Sequence, residues 1–315
     1  MQTMTPPQVA LRWDYSEMHF THLRELASND KLPCTYSRAF LGEALDDRGR
    51  HSLKLAQDAA HVCHTVRYDP DRFILRIDDF EIRSSDAVSF QKLFNAEQVL
   101  IDSTTLDVPE LVLLTRFFSS ISAQIDYVYV EPKAYKLKNA NGADVHGFAL
   151  SSSYSPFSPI PGFTPELSAQ RQGLLLAFLG FESSRLSRAL SPDEVAYIKS
   201  SNVAFGIPPF QASWEMHALM QNAEVLNNAN LDDVYFVGAN DPLAAFKLIE
   251  SVSKVVNPNT ERLVLAPLGT KPASISVALF AALHPDVRVM FDFPQRLPER
   301  TEGVGRLHHY GVALK

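Results

Sequence analysis

One turn in the sequence combines the residue types that bind phosphate. Within "RLVLAPLGTKPASISVALFAAL" (residues 262–283), a short apolar run precedes Gly269, Thr270 and Lys271, and a helix-like stretch follows. Gly269 permits a positive φ and a close backbone approach, Thr270 supplies a hydroxyl and Lys271 a charge. Pro272 suits the first helical turn, whose free N–H groups attract anions. The pattern predicts a strand–turn–helix unit that holds a phosphate; a capped helix with a solvated lysine is the alternative.

A second turn, "LIDSTTLDVP", offers hydroxyls where the first offers Gly and Lys. Ser103, Thr104 and Thr105 follow an apolar run and precede Asp107, an acidic N-cap with a proline two positions on. The three hydroxyls could contact a ribose or phosphate, or they could satisfy the N–H groups of the helix itself. A ligand held between the two turns would be gripped asymmetrically.

The tetrapeptide Ala-Phe-Leu-Gly occurs twice, and each copy ends a predicted strand. Gly42 and Glu43 follow the first copy, whereas Gly180, Glu182 and Arg185 follow the second. Open α/β sheets bind ligands outside the carboxyl ends of their strands, so these residues are candidate ligand contacts. The alternative is a polar loop that caps the next helix.

Two further segments could reach the same crevice. Arg306 lies in "GVGRLHHYGV", where two glycines suggest either an anion-binding turn or a closing hairpin. Phe210 and Trp214 lie in "GIPPFQASWEMHALM", where they could stack on a base or join a core.

Metal chemistry supplies the competing hypothesis. Asp102, Glu131 and Lys133 have the order of the D…(E/D)xK set in metal-dependent nucleases, although a proline separates Glu131 from Lys133. His61 and His64 lie three apart on a predicted helix, with no further ligands nearby. We therefore assign no catalytic residue, metal ligand or cofactor, and an enzyme is not favoured.

The elements that must position these residues form a repeating pattern. A strand–helix–strand unit over residues 99–132 resembles a second unit over residues 262–294, and the Ala-Phe-Leu-Gly segments precede both in the same order. We predict an α/β fold of two tandem Rossmann-like halves, residues 1–155 and 156–315, with mainly parallel sheets in a pseudo-two-fold arrangement. The alternative is chance, because α/β proteins reuse such units.

Composition excludes several classes of protein. The chain has 315 residues, is 46% hydrophobic and carries a net charge of −7, so direct DNA binding through a basic surface is not expected. No apolar run approaches the roughly 18 residues that span a bilayer. The N-terminus lacks the basic and apolar regions of a signal peptide. The two cysteines have no metal or redox spacing, and we expect a reduced, soluble cytoplasmic protein without membrane contact.

The segment "LAPLGTKPASISVALFAAL", and more weakly "LIDSTTLDVPELVLLTRFF", resembles the ligand-binding motif of CRISPR-associated Rossmann-fold (CARF) sensors. Two such units in one chain are similar to the fused arrangement of SAVED domains in antiphage signalling. The first turn departs from the motif, since it lacks Gly and Lys.

The resemblance implies that the chain senses a phosphate-bearing nucleotide or a cyclic or linear oligonucleotide. It also implies a separate effector protein as the partner, within an antiphage defence system. The alternatives are a metal-dependent phosphodiesterase or nuclease, and a non-catalytic structural subunit of a defence complex.

Overall fold

The structure of the chain is a computed structural model that describes residues 18–121, 124–137, 147–148 and 150–314. The N-terminal segment, on which the predicted lack of a signal peptide rests, lies mostly outside these ranges. Within them, no helix is long and apolar enough to cross a membrane.

The first part of the described chain alternates strands and helices. Its elements are β1 (Met18–Leu26), β2 (Tyr36–Leu41), α1 (Asp47–Ala59), β3 (Ala60–Asp69), β4 (Ile74–Ile77), β5 (Phe80–Arg83), α2 (Ala87–Phe94), β6 (Gln98–Asp102), α3 (Val108–Ser119) and β7 (Gln124–Tyr135).

The second part continues this alternation. Its elements are β8 (Ser151–Tyr154), β9 (Gln172–Leu179), α4 (Ser183–Ala189), β10 (Ile198–Gly206), α5 (Trp214–Asn228), β11 (Asp233–Val237), α6 (Pro242–Ser253), β12 (Glu261–Pro267), α7 (Lys271–Leu283), β13 (Arg288–Val289), β14 (Pro294–Arg296) and β15 (Thr301–Leu314).

The first sheet is mixed and has eight strands, in the order β1-β15-β7-β6-β2-β3-β4-β5. Its centre is parallel: β7, β6, β2 and β3 run in one direction. Antiparallel strands extend both edges, β15 and β1 on one side and the β4–β5 hairpin on the other.

The second sheet has five strands in the order β11-β10-β9-β12-β13, all of them parallel. Parallel strands need crossover connections, and helices α4 to α7 provide them. The mixed α/β class predicted from the sequence is therefore confirmed. A short antiparallel pair, β14 with β8, links the segment after β13 to the segment before β9.

The C-terminal strand returns to the first sheet. β15 lies between β1 and β7, so residues 301–314 belong with the strands of the earlier part of the chain. The prediction assigned these residues to the second half, 156–315, and the sequence of β15 does not indicate which sheet the strand joins.

Three apolar clusters define the layers of the molecule. Helix α1 covers the outer face of the first sheet, and helices α4 and α5 cover the outer face of the second. Between the two sheets, α2, α3, α6 and α7 form the largest cluster with residues of both sheets. The sheets therefore share one core.

Local signals explain where the two central helices begin. The Asp107 side chain accepts a hydrogen bond from the Val108 N–H and Pro109 occupies the first turn of α3, as the sequence predicts. Helix α7 begins at Lys271, again with a proline in its first turn. Its residues are buried on nearly all sides because it lies between the two sheets.

Candidate functional site

Two adjoining cavities lie at the carboxyl ends of the parallel strands, where open α/β sheets bind ligands. The first adjoins the ends of β9, β10 and β12 and encloses about 880 Å³, counting space open to solvent. The second adjoins the ends of β2 and β6 and encloses about 1190 Å³ on the same measure.

A common wall joins the cavities. Five residues line both of them, and four are basic: Arg48, Thr104, Lys271, Arg296 and Arg300. The first cavity is also lined by Arg185 and by one carboxylate, that of Glu182. Its lining is therefore positively charged, even though the whole chain is acidic.

Lys271, predicted as the phosphate-binding lysine, lies on this common wall. Its ammonium donates to the Leu106 carbonyl and to Asp107 Oδ1, the latter at 3.2 Å. Burial lowers the pKa of Lys271, and Asp107 offsets part of that effect. The lysine thus links the first turn of α7 to the N-terminus of α3.

Asp107 balances two of the cations. Besides Lys271, it faces Arg296, whose Nε lies 3.6 Å from Asp107 Oδ2. Burial opposes ionisation of Asp107, but Lys271 and then Arg296 outweigh it and hold the pKa of this carboxyl well below its usual range. Arg296 also reaches Glu182, at 3.4 Å.

Arg300 is the least compensated cation of the wall. Its buried Nε has no hydrogen-bond partner among the described residues. Burial, followed by repulsion from Arg296 and Arg48, lowers the pKa of Arg300 to about 10. At neutral pH the side chain is therefore a half-buried cation that two neighbouring arginines repel, which is the environment that a bound anion would relieve.

Two other arginines of the site are already paired. Arg48 donates to Asp46 Oδ2 at 2.9 Å, and Arg185 contacts both Asp292 oxygens, with its Nε at 2.9 Å from Oδ2. Arg185 also donates to the Leu268 carbonyl at 3.1 Å. It thereby fixes the residue before Gly269, so its role in this geometry is to position the turn.

The glycines of the predicted turns allow backbone segments to meet. A Cβ on Gly269 would lie 2.7 Å from the Leu179 carbonyl oxygen, and one on Gly180 would lie 3.1 Å from the Leu268 oxygen. Gly42 is crowded in the same way by the Thr105 oxygen, at 2.4 Å. The expected positive φ does not occur at Gly269; the turn needs glycine because the ends of β9 and β12 pack backbone to backbone.

The hydroxyl turn is satisfied within the protein. Ser103 donates to the Val128 carbonyl at 2.7 Å, and Thr105 donates to Asp102 Oδ2 at 2.7 Å. Thr104 Oγ1 accepts from the Val130 N–H at 3.0 Å. These partners lie on β6 and β7, whereas the alternative stated from the sequence was bonding to the N–H groups of the following helix. Thr104 nevertheless lines both cavities and Thr105 lines the second, whereas Ser103 is buried beneath them.

The two helix N-termini differ at the site. Asp107 caps α3, so a carboxylate already occupies the place where an anion would bind. The Thr270 side chain makes no capping hydrogen bond at α7, which leaves the first N–H groups of that helix without a side-chain cap. Gly269 and Thr270 line the first cavity beside these groups.

Aromatic side chains form the opposite wall of the first cavity. The Tyr135 ring lies 4.9 Å from the Trp214 ring and 5.5 Å from the Phe181 ring, centroid to centroid. Tyr129 and Phe210 form a second pair at 5.5 Å. Trp214 and Phe210, named from the sequence as stacking candidates, both line this cavity, and Phe210 also packs against the largest apolar cluster.

The structure divides the remaining predicted ligand contacts. Gly180 and Glu182 line the first cavity, and Gly42 and Glu43 line the second. Arg306 lines neither; its guanidinium pairs with Glu25 on the exposed surface, because residues 301–314 form one strand instead of an anion-binding turn or hairpin.

Arg48, Arg296 and Arg300 were not singled out from the sequence. Arg48 lies one residue further from its Ala-Phe-Leu-Gly copy than Arg185 does from the other, and this repeat was the available signal. Arg296 and Arg300 follow the last strand of the second sheet and carry no motif.

The residues of the metal hypotheses do not come together. Asp102 pairs with Val128 across β6 and β7, which places its side chain on the face opposite to that of Glu131. Asp102 is bound by Ser52 and Thr105, whereas Glu131 faces His308.

The two histidines predicted on a helix lie on strand β3. His61 is exposed, whereas His64 is buried and contacts Asp78. An odd spacing along a strand places the two rings on opposite faces of the sheet, so they do not form a metal pair.

Comparison with known proteins adds no assignment. No model of a known protein family matches the chain, and no curated protein is significantly similar to it.

Proposed function

We propose that the chain binds a phosphate-bearing nucleotide or oligonucleotide in the two cavities, with the phosphates against their common wall. The observation that carries this proposal is Arg300, a half-buried cation that Arg48 and Arg296 repel and whose Nε has no partner among the described residues. Such an arrangement lowers stability unless a ligand supplies negative charge.

Two features favour a nucleotide over a simple anion. The aromatic wall of the first cavity offers faces on which a base can stack, and each base stacked on an aromatic ring contributes about 1–3 kcal/mol. The second cavity continues from the same basic wall, so a ligand with more than one phosphate can extend into it. The two helix N-termini would contact the ligand differently, because α7 presents uncapped N–H groups whereas Asp107 caps α3.

Topology supports the proposed duplication. Numbered along the chain, the parallel strands β2, β3, β6 and β7 have the same neighbours in their sheet as β9, β10, β12 and β13 have in theirs. The β4–β5 hairpin lies beside β3, where the second sheet has β11 beside β10. We therefore propose two Rossmann-like halves that place α3 against α7 about a pseudo-two-fold axis.

In this proposal the chain is a regulatory sensor of an antiphage defence system, and a separate protein is its effector. The resemblance of the Gly-Thr-Lys turn to CARF and SAVED sensors supports this context. Binding is preferred to hydrolysis because the carboxylates of the nuclease hypothesis, Asp102 and Glu131, lie on opposite faces of the sheet.

The decisive experiment measures binding of a panel of cyclic and linear oligonucleotides to the full chain, by thermal shift and calorimetry. At least one ligand should stabilise the wild type. Lys271→Ala and Arg300→Gln should each weaken its binding roughly 10- to 100-fold, since a hydrogen bond to a charged group contributes about 1.5–3 kcal/mol. Arg300→Gln should also leave the ligand-free Tm unchanged or raise it, because it removes a repelled charge.

Matched controls distinguish the wall from general charge effects. Lys247→Ala on α6 and Arg72→Gln near the β4–β5 hairpin change exposed residues outside both cavities and should leave binding unaltered. The absence of a shift across the panel would contradict the proposal, as would equal losses in the control variants.

A further inference from the structure

Three potential metal ligands meet on the first sheet, away from the cavities. His22 lies on β1, His309 on β15 and Asp126 on β7, and their ligand atoms all lie within 4.8 Å of one another. Asp126 lies near the start of β7, whereas the cavities adjoin the carboxyl ends of the parallel strands. The cluster is therefore independent of the proposed nucleotide site.

The three ligand atoms are about as far from one another as the ligands of a metal ion. His309 Nε2 lies 2.9 Å from Asp126 Oδ2 and 3.4 Å from His22 Nε2, and His22 Nε2 lies 3.9 Å from Asp126 Oδ2. Zinc bonds of about 2.0–2.2 Å in a tetrahedron place neighbouring ligand atoms about 3.3–3.6 Å apart. The observed triangle has edges that bracket this separation.

Hydrogen bonds among these side chains do not account for all the close contacts of His309 Nε2. His309 Nε2 has Tyr36 Oη at 2.8 Å in addition to its two neighbours in the triangle. An imidazole nitrogen carries either one hydrogen or one lone pair, so it serves one of these three partners well. A cation between the side chains would accept both imidazole lone pairs and a carboxylate oxygen at once.

The backbone is shaped to admit the His22 ring. Residues His22, Gly311 and Asp126 lie side by side on three neighbouring strands. A Cβ on Gly311 would lie 2.3 Å from His22 Cε1, so any other residue there would displace the ring. The β1 register also shifts between Phe20 and His22, an irregularity of the kind that re-aims side chains.

Neighbouring groups hold the ligands in orientation, as second partners do in metal sites. Thr21 Oγ1 lies 3.1 Å from His22 Nδ1, which leaves His22 Nε2 for the cluster. Tyr36 donates to Asp126 Oδ2 at 2.7 Å, and Gln124 donates to Asp126 Oδ1 at 3.3 Å.

From these observations we infer that His22, Asp126 and His309 bind a transition-metal dication, with Zn²⁺ the best match. Two imidazoles and one carboxylate are ligands of the type that Zn²⁺ takes, and they leave a fourth position beside Tyr36. His22 is 14% exposed, whereas Asp126 and His309 are fully buried, so the ion enters past His22. The metal ties the edge strand β1 to β15 and β7.

The test uses the full chain without an affinity tag, stripped with a chelator and then titrated with zinc chloride. Bound zinc is measured by elemental analysis and stability by thermal unfolding. We expect one zinc per chain and a Tm that rises by several degrees on saturation. His22→Gln should abolish both effects, while His19→Gln, an exposed histidine on the same strand, should preserve them.

Cobalt binding is measured by visible absorption, which distinguishes loss of the metal site from loss of the fold when circular dichroism is recorded alongside. Co²⁺ in the wild type should show the visible absorption of a low-coordinate site, and His22→Gln should lack it while retaining the wild-type circular dichroism. If folded wild-type chain retains no zinc after dialysis, or if His22→Gln binds as much as the wild type, the cluster is a hydrogen-bonded network and the inference is overturned.

Discussion

At the scale of single residues, the wall between the cavities holds a cluster of partly buried charges. Asp107, Lys271 and Arg296 compensate one another, and Arg300 is left over. Because Arg300 is not compensated, this cluster of salt bridges is a candidate anion site. Pairing accounts for the other cations of this wall without any ligand.

Glu110, which lines the second cavity, provides a pH test of this description. Its buried Oε2 has no partner in the described part of the chain, while Oε1 accepts from the Tyr68 N–H at 2.8 Å. Burial, followed by repulsion from Asp107, raises the pKa of Glu110 above its ordinary 4.5. Protonation of Glu110 is therefore more favourable in the folded state than in the unfolded chain, and its ionisation at neutral pH destabilises the folded state.

Glu110→Gln should consequently raise the Tm at neutral pH. The folded pKa lies above the unfolded one, so the wild type regains this stability as pH falls from the folded pKa to the unfolded value of about 4.5, below which the carboxyl is protonated in both states. The Tm difference between variant and wild type should therefore shrink towards pH 4. Thermal unfolding measured at both pH values checks it, and an equal difference at both would contradict the assignment.

At the scale of elements, the turn between β12 and α7 is set by packing against the end of β9. Arg185 holds the Leu268 carbonyl, and Gly269 lets the turn lie against Leu179. These two contacts place the uncapped N-terminus of α7 at the first cavity.

Gly269→Ala should destabilise the fold by about 1–3 kcal/mol, the usual cost of overpacking a tight site. The new Cβ would meet the Leu179 carbonyl oxygen at 2.7 Å, and backbone cannot rotate away as a flexible side chain can. Denaturant unfolding measures the loss. Gly238→Ala is the matched control, since its nearest neighbour is a side-chain atom at 3.3 Å; equal losses in both variants would refute this reading of the turn.

At the scale of the whole molecule, one apolar core joins the two sheets through α3 and α7. The proposed halves should then unfold together, although each contains its own parallel sheet. The return of β15 to the first sheet strengthens this coupling, because the chain that leaves the second sheet ends inside the first.

Leu279→Ala in α7 tests that coupling. Leu279 is fully buried in the shared core, and such a truncation costs about 2–5 kcal/mol. Calorimetry should show a single unfolding transition shifted to lower temperature. Leu93→Ala, at a side chain that is 37% exposed, should change the Tm far less. Two separate transitions, with one unaffected by Leu279→Ala, would show that the halves are independent.

Short-range signals in the sequence were enough to locate several helices and strands. Asp107 and a proline marked the beginning of α3, and a second proline marked the beginning of α7. Apolar runs typical of buried strands marked β6, β7 and β12. These signals are local, since capping, φ restriction and periodic apolar residues act within a few positions. The Gly-Thr-Lys turn was located for the same reason.

Which side chains meet at each site depends on the tertiary structure. Arg48 is far from Arg296 and Arg300 in the chain, yet the three arginines line one wall. The same is true of His22, Asp126 and His309, which meet because β15 lies between β1 and β7. Strand pairing across the whole chain depends on the packing of distant surfaces, and no short stretch of sequence encodes it.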